Sequence, residues 1–233
     1  MQFLIDERAA QNEIWVQNEA FIHLKVRRIR LNDKLYFRNL KDDFLYLYKL
    51  VDIGKKRLLF KLLSTEKKEC QKSFAKLALS IIDTKVIEKL LPFLNELDLA
   101  NLSFVYADFS QKNFKLDLAR FERILIESCQ QCGRTNLMRL SIFQSSKEFY
   151  DYCEKENLKP VLLDFKGENL DDFLQKNSIS NKESLENFIF FVGAEAGFSD
   201  KERDLFKQKI SLKNTLIMRS QTAITALASK LLT

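Results

Sequence analysis

The chain has 233 residues, 46% hydrophobic and 30% charged, with Lys+Arg 38 against Asp+Glu 32. That balance excludes a disordered or fibrous chain, and no run approaches the roughly 18 uninterrupted apolar residues of a membrane span. Residues 1–8 carry charge where a signal peptide needs its apolar core, so a cytoplasmic protein without a membrane partner is expected.

The net charge of +6 is unevenly spread. Residues 1–67 hold 14 Lys/Arg and 9 Asp/Glu (net +5), and residues 68–233 hold 24 and 23 (net +1). A basic module ahead of a near-neutral one suggests a nucleic-acid anchor joined to a chemical part. Cys129 and Cys132 form C-x-x-C, but a zinc site wants a second pair or nearby histidines, and the only histidine is His23. Reduced thiols and no metal are expected.

In chain order, residues 21–30 place apolar side chains at 22, 26 and 29, a helical spacing with a basic opposite face. Strand-like runs follow at 34–38, 44–53 and 57–63, separated by turn signals at 41–43 and 54–56. The charged run 66–69 reads as a linker between a domain at 1–67 and another at 70–233. Beyond it the pattern alternates. Strands are predicted at 77–82, 102–106, 137–143, 161–165, 188–192 and 215–218. Helices are predicted at 84–96 (carrying Pro92), 117–132, 145–156, 169–175, 199–209 and 221–232. Alternation of this kind argues for an α/β fold with a parallel sheet covered on both faces. The continuous apolar run Phe188-Ile189-Phe190-Phe191-Val192 suits a central strand.

The segment most suggestive of chemistry is Gly193-Ala194-Glu195-Ala196-Gly197-Phe198-Ser199, which holds two of the five glycines. It lies after the most apolar strand and before a helix whose start is marked by the capping box Ser199-x-x-Glu202. Ligands of open α/β sheets bind at the carboxyl ends of the strands, and small residues there let the backbone approach them. Neither G-x-G-x-x-G nor G-x-x-x-x-G-K-[ST] is present, which argues against dinucleotide oxidoreductases and P-loop NTPases. Arg219 stands at a second strand-to-helix step and could hold an anion. Gly133 reads as the glycine closing a helix, with Arg134 just beyond it, and Asp164 ends a strand.

Together these segments resemble the RsmE-type ribosomal RNA small-subunit methyltransferases of the SPOUT superfamily. Residues 193–199 with Glu202 are similar to that family's G-P-E-G-G-F-S-x-x-E motif, and Met218-Arg219-Ser220-Gln221-Thr222-Ala223 to its L-R-x-E-T-A motif. Residues 123–134 resemble its helix ending in E-Q-x-G-R. His23-Leu24 through Arg28, with Asn32-Asp33, resemble the opening of its N-terminal domain. The resemblance covers essentially the whole chain. It implies a PUA-like RNA-binding β-barrel followed by a SPOUT-type parallel sheet with a C-terminal trefoil knot. It also implies a homodimer and S-adenosylmethionine as cofactor. The reaction implied is methylation of N3 of one uridine in 16S rRNA of the small ribosomal subunit, with no DNA partner.

Carried onto this sequence, the resemblance places Gly193, Glu195 and Gly197 in one cofactor loop and Ile217, Met218, Thr222 and Ala223 in a second. Leu163 and Asp164 fall at a third knot position. Arg219 would orient the RNA or stabilise the uracil anion, with Glu195, Asp164 or a water as base. Lys25, Arg27, Arg28, Arg30, Arg38 and Arg134 would hold RNA phosphates. Three departures stand out: Ala194 for proline, Ala196 for glycine and Gln221 for glutamate. Lys213-Asn214 also replaces the usual Leu-Gly. If position 196 needs positive φ, alanine would be strained there by about 1 kcal/mol. These departures motivate two alternatives, a catalytically silent RNA-binding or assembly factor and a methyltransferase with another RNA target.

Overall fold

Two stretches of alternating sequence build two sheets of different character. The structure, a computed structural model, describes residues 2–233 except Gln71, Lys112, Asn214 and Thr215. The chain divides into two units, Met1–Gln71 with Ile126–Asn136, and Lys72–Leu125 with Leu137–Thr233.

The first unit carries β1 (Leu4–Ile5), β2 (Glu13–Gln17), α1 (Asn18–Val26), β3 (Lys34–Arg38), β4 (Phe44–Ile53) and β5 (Arg57–Lys67). The strand order is β1-β3-β4-β5-β2, with β1 parallel to β3 and the other pairs antiparallel. With β1 and β2 at its edges, the expected barrel is a half-barrel. Alternation along β4 and β5 turns Tyr48, Leu50, Leu58 and Phe60 inward. Phe37 packs edge-on against Tyr48 and Phe60, with ring centroids 5.0 and 5.2 Å away.

Three features of this unit depart from the sequence-based expectation. Neither β1 nor β2 is among the predicted strands: β1 is two residues long and leaves no periodic trace, whereas Glu13–Gln17 does alternate, with Ile14 and Val16 buried. The helix begins at Asn18 rather than residue 21 and ends before Arg28, whose φ of 57° leaves the helical region. It buries Leu24, so Ile22 and Val26 of the expected apolar stripe face solvent. Finally, β5 runs through residue 67, because 64–67 pair with Leu47–Phe44 of β4 and leave no separate linker at Glu66 and Lys67.

The second unit carries β6 (Lys76–Ser80), α2 (Thr84–Glu96), β7 (Asn101–Val105), α3 (Leu118–Cys132), β8 (Arg139–Phe143), α4 (Ser146–Lys155), β9 (Lys159–Asn169), α5 (Leu170–Lys176), β10 (Phe188–Val192), α6 (Asp200–Leu205), β11 (Gln208–Ser211) and α7 (Ser220–Leu232). The later part of α3 belongs to the first unit. The six strands pair in parallel in the order β11-β9-β10-β6-β7-β8. Every residue of β10 is buried. Its alternate side chains serve two cores: Phe188, Phe190 and Val192 pack with α2 and α7 residues, Ile189 and Phe191 with Phe149 and Phe206. The expected parallel sheet covered on both faces is therefore present.

The end of the chain differs from expectation. The helix expected over 199–209 stops at Leu205, and 208–211 form β11. Of the strand expected at 215–218, Thr215 lies outside the described residues, as does Asn214, and 216–218 are irregular. The cause is a slot beside β9 that Ile210 fills, fully buried. The pairing of β11 with β9 jumps from Lys209 opposite Leu162 to Ile210 opposite Glu168. Residues 163–167 of β9 therefore bulge away from β11. At the return crossing Gly167 lies so close that a Cβ on it would stand 2.3 Å from the Ile210 carbonyl carbon.

Candidate active site

Because the strands are parallel, the carboxyl ends of β9, β10 and β11 share one edge of the sheet. A cleft opens there. Its floor is Val192 and the Gly193–Gly197 turn. One wall is Leu163, Asp164 and Phe165 from the bulge, and another is Ser211 at the end of β11 with Leu212 after it. Leu216, Ile217, Met218, Ser220 and Ala223 close it at the start of α7. The enclosed volume is only about 100 Å³, and Phe165, Leu216 and Ile217 on its rim are strongly exposed.

The floor is a tight turn. The Gly197 N–H donates to the Ala194 carbonyl at 2.8 Å, and Gly197 has φ 73°. A Cβ on Gly193 would meet the Gly197 backbone at 3.0 Å, so the two glycines make the turn possible together. Ala196 is not among the residues with positive φ, so the strain that its replacement of a glycine could have caused is absent. Phe198 then plugs into the core against Phe191, centroids 4.8 Å apart. Ser199 caps α6, and the capping box with Glu202 forms as expected. The buried Glu202 carboxylate also accepts from the Asp108 N–H at 3.1 Å and from the Ser146 hydroxyl. The loop is thus fixed at both ends.

Asp164 is not a free carboxylate. One oxygen accepts from the Lys166 N–H at 3.0 Å and the other from Arg203 Nε at 2.7 Å. Burial alone would raise its pKa, but these bonds and the Arg203 charge hold it below the usual carboxylate range. It is therefore a poor proton acceptor near neutral pH, unlike the base suggested by its place at a strand end. Glu195 lines the cleft from an exposed position.

Of the expected cofactor residues, Leu163, Asp164, Gly193, Glu195, Gly197, Ile217, Met218 and Ala223 meet at this cleft. Thr222 does not reach its wall; it sits exposed on the first turn of α7. Arg219 precedes α7 as an exposed N-cap residue outside the cleft lining. Phe165, Ser211, Leu212, Leu216 and Ser220 were missed; each is close in sequence to an expected residue or follows a strand that no periodicity announced. Ser220 is the most informative of them. Its hydroxyl is buried with no hydrogen-bond partner among the described residues, at the start of a helix whose first N–H groups are also available.

Of the basic residues expected to grip RNA, Lys25, Arg27, Arg28 and Arg30 are exposed on α1 and the turn after it. Arg38 and Arg134 are not: they are 2% and 5% exposed, and Arg134 Nε donates to Asn136 Oδ1 at 2.7 Å. Two surface phosphate contacts are thereby removed from the expected set. The alternation of β3 holds: Phe37 enters the core, Tyr36 and Arg38 line one cleft, and Arg38 is buried there against Phe3, Lys68 and Cys70.

The chain matches the family model of an RNA methyltransferase domain over residues 69–232 and that of an RNA methyltransferase PUA domain over residues 16–63. Sheet order, cleft and these matches define a PUA-bearing RNA methyltransferase. The chain is 40% identical to ribosomal RNA small subunit methyltransferase E of Helicobacter pylori (strain ATCC 700392 / 26695), with 98% of each chain covered. It belongs to that family of methyltransferases. Two solved structures have the same fold at 20% identity. One is a ribosomal RNA small subunit methyltransferase E from Neisseria gonorrhoeae bound to S-adenosyl methionine (TM-score 0.78, covering 99% of this chain and 96% of that one). The other is a Legionella pneumophila putative methyltransferase in complex with SAM (TM-score 0.80, with the same coverage).

Proposed function

We propose that the protein methylates N3 of a specific uridine in the 16S rRNA of the small ribosomal subunit, in the cytoplasm, as a homodimer using S-adenosylmethionine. The observation that carries this reading is the convergence of the Gly193–Gly197 turn, the 163–165 bulge and the start of α7 on one cleft in a chain of this family.

The cleft fits such a cofactor. Leu163, Val192, Met218 and Ala223 offer an apolar wall to a flat ring, and the unpartnered Ser220 hydroxyl offers a polar contact. When bound there, S-adenosylmethionine supplies an electrophilic methyl group. Leu163, Gly193, Gly197, Ile217, Met218 and Ala223 hold it, with Thr222 supporting the first turn of α7 beneath them. The low enclosed volume and the apolar rim of Phe165, Leu216 and Ile217 favour a second copy of the chain completing the site. The displaced bulge and the close crossing at Gly167 suit a trefoil knot.

N3 of uracil sits on the Watson–Crick edge, so the base must leave its pair and stack before it reacts. Its N–H must also lose a proton. Arg219, exposed beside the cleft, stabilises the negative charge that develops on the ring. Glu195, exposed in the cleft, or a water takes the proton. Asp164 shapes the cleft instead, because both its oxygens are engaged. Holding the reactants in line supplies most of the catalysis. Residues 1–67 act as the RNA-holding module and 70–233 as the chemical one, with Lys25, Arg27, Arg28 and Arg30 gripping phosphates.

Calorimetric titration with S-adenosylmethionine tests the cofactor assignment. Saturable one-site binding, lost in Gly193→Ala, is expected. Undetectable binding to the folded protein would contradict it and favour the silent alternative.

A further inference from the structure

Arg38 is a buried charge with no ion-pair partner among the described residues. Its Nη2 donates to the Lys68 carbonyl at 3.0 Å, its Nη1 lies 3.8 Å from Cys70 Sγ, and its guanidinium faces the Phe3 ring at 5.7 Å. Each of these partners is neutral. Its Nε, also buried, has no hydrogen-bond partner among the described residues. Asp42, a carboxylate that feels the Arg38 charge, is already held by Asn39 Nδ2 and the Tyr46 hydroxyl, each at 2.7 Å, and by the Phe44 N–H at 3.0 Å. A buried cation with an idle donor is costly to fold around, and proteins pair such groups with an anion.

Arg38 lines a cleft of about 410 Å³ within the first unit. That volume accommodates one nucleotide. Lys68 lines it too, exposed and with no ion-pair partner among the described residues. Tyr36 adds a half-exposed aromatic ring, and Glu66 a carboxylate. The cleft is separate from the one at the carboxyl edge of the parallel sheet, with no residue in common.

We propose that this cleft is a binding site for one phosphate-bearing nucleotide. The phosphate is held by Arg38 and Lys68, and the base lies against Tyr36 and donates an N–H to Glu66. The nucleotide comes from an unpaired stretch of RNA or from a free nucleotide. The RNA source rests on the function proposed above; the site does not. Pairing Arg38 and Lys68 with one phosphate supplies the missing counter-charge, and an aromatic face accepts any base. Glu66 repels a second phosphate at its end of the cleft, which fixes the direction in which the nucleotide lies.

The test follows the Arg38 Nε–Hε signal by nuclear magnetic resonance in the full chain. Uridine 5′-monophosphate, inorganic phosphate and a single-stranded RNA 12-mer lacking terminal phosphates are titrated separately. A saturable shift with the 12-mer assigns the phosphate to an RNA strand, and a shift with the mononucleotide alone assigns it to a free nucleotide. In either case Lys68→Ala and Tyr36→Ala, both at exposed side chains, are expected to weaken binding at least fivefold. S-adenosylmethionine affinity, measured in parallel, should be unchanged, so a defect of the methylation site would register separately. A shift with inorganic phosphate alone, no shift with any ligand, or equal affinity in both variants would overturn the proposal.

Discussion

Asp164 and Arg203 are 39 residues apart in sequence, yet Arg203 Nε donates to the Asp164 carboxylate at 2.7 Å. Asp164 stands in the bulge of β9, and Arg203 lies on α6, which follows the Gly193–Gly197 turn. The Arg203 guanidinium also passes Gly197, 3.6 Å from where a Cβ would stand. The pair therefore ties one wall of the cleft to its floor.

Asp164→Asn is expected to weaken cofactor binding about tenfold and to cost about 1.5–3 kcal/mol of stability, the range for a hydrogen bond to a charged group. The folded-state pKa of Asp164 lies below its ordinary value of 3.8. Its contribution is thus fully present above pH 4 and is lost as pH falls through the lowered value. Urea denaturation from pH 7 to 3 checks this: the gap between wild type and variant should narrow toward the acid end. A constant gap at every pH would count against the ion pair.

The turn gives a contrasting pair. Gly193→Ala forces a Cβ against the Gly197 backbone at 3.0 Å and should abolish cofactor binding while leaving the fold in place. Ala196→Gly restores the residue usual in the resembled motif. Since Ala196 is not left-handed, it should gain nothing and lose about 0.4–1 kcal/mol through added freedom in the unfolded chain. Thermal melts and calorimetry on both separate the effects; higher stability in Ala196→Gly would mean position 196 is strained after all.

Arg219→Ala should lower kcat by about 100-fold and leave the cofactor Kd within twofold, because the side chain lies outside the cleft wall. Single-turnover methylation alongside equilibrium binding makes the comparison. Equal losses in both would place Arg219 on the cofactor rather than the RNA.

Gly167→Ala is predicted to be the most damaging glycine substitution. Its Cβ would fall 2.3–2.5 Å from the Ile210 carbonyl carbon, N and Cα, all backbone atoms that cannot rotate aside. A stability loss of at least about 3 kcal/mol is expected, at the upper end for overpacking, and circular-dichroism melts will show it. A wild-type melting temperature would mean that the β9–β11 crossing is looser than described.

What the sequence made legible follows from how strongly each segment decides its own structure. β10 is apolar at every position and could only be an interior strand, and the small-residue turn after it could only sit at the ligand edge. The helix ending at Gly133, which has φ 89°, carried its own stop signal. By contrast, β11 has one fully buried apolar residue, Ile210, and becomes a strand because β9 leaves a slot for it. Arg38 lies on the face opposite Phe37, as alternation requires, and is buried because Phe3, Lys68 and Cys70 cover it, so its burial was illegible. Arg219 takes the N-cap position of α7 and leaves the Ser220 hydroxyl unpartnered among the described residues, which no local pattern announces. Such features depend on tertiary context that no local pattern encodes.

The most direct test of the central claim is methyl transfer itself. Purified protein and S-adenosylmethionine are incubated with unmodified small subunits and, separately, with naked 16S rRNA, and the digested nucleosides are identified by mass spectrometry. The account predicts 3-methyluridine in at least one of the two, lost in Gly193→Ala. No methylated nucleoside from either substrate, with binding to both intact, would contradict it and leave a silent RNA-binding factor.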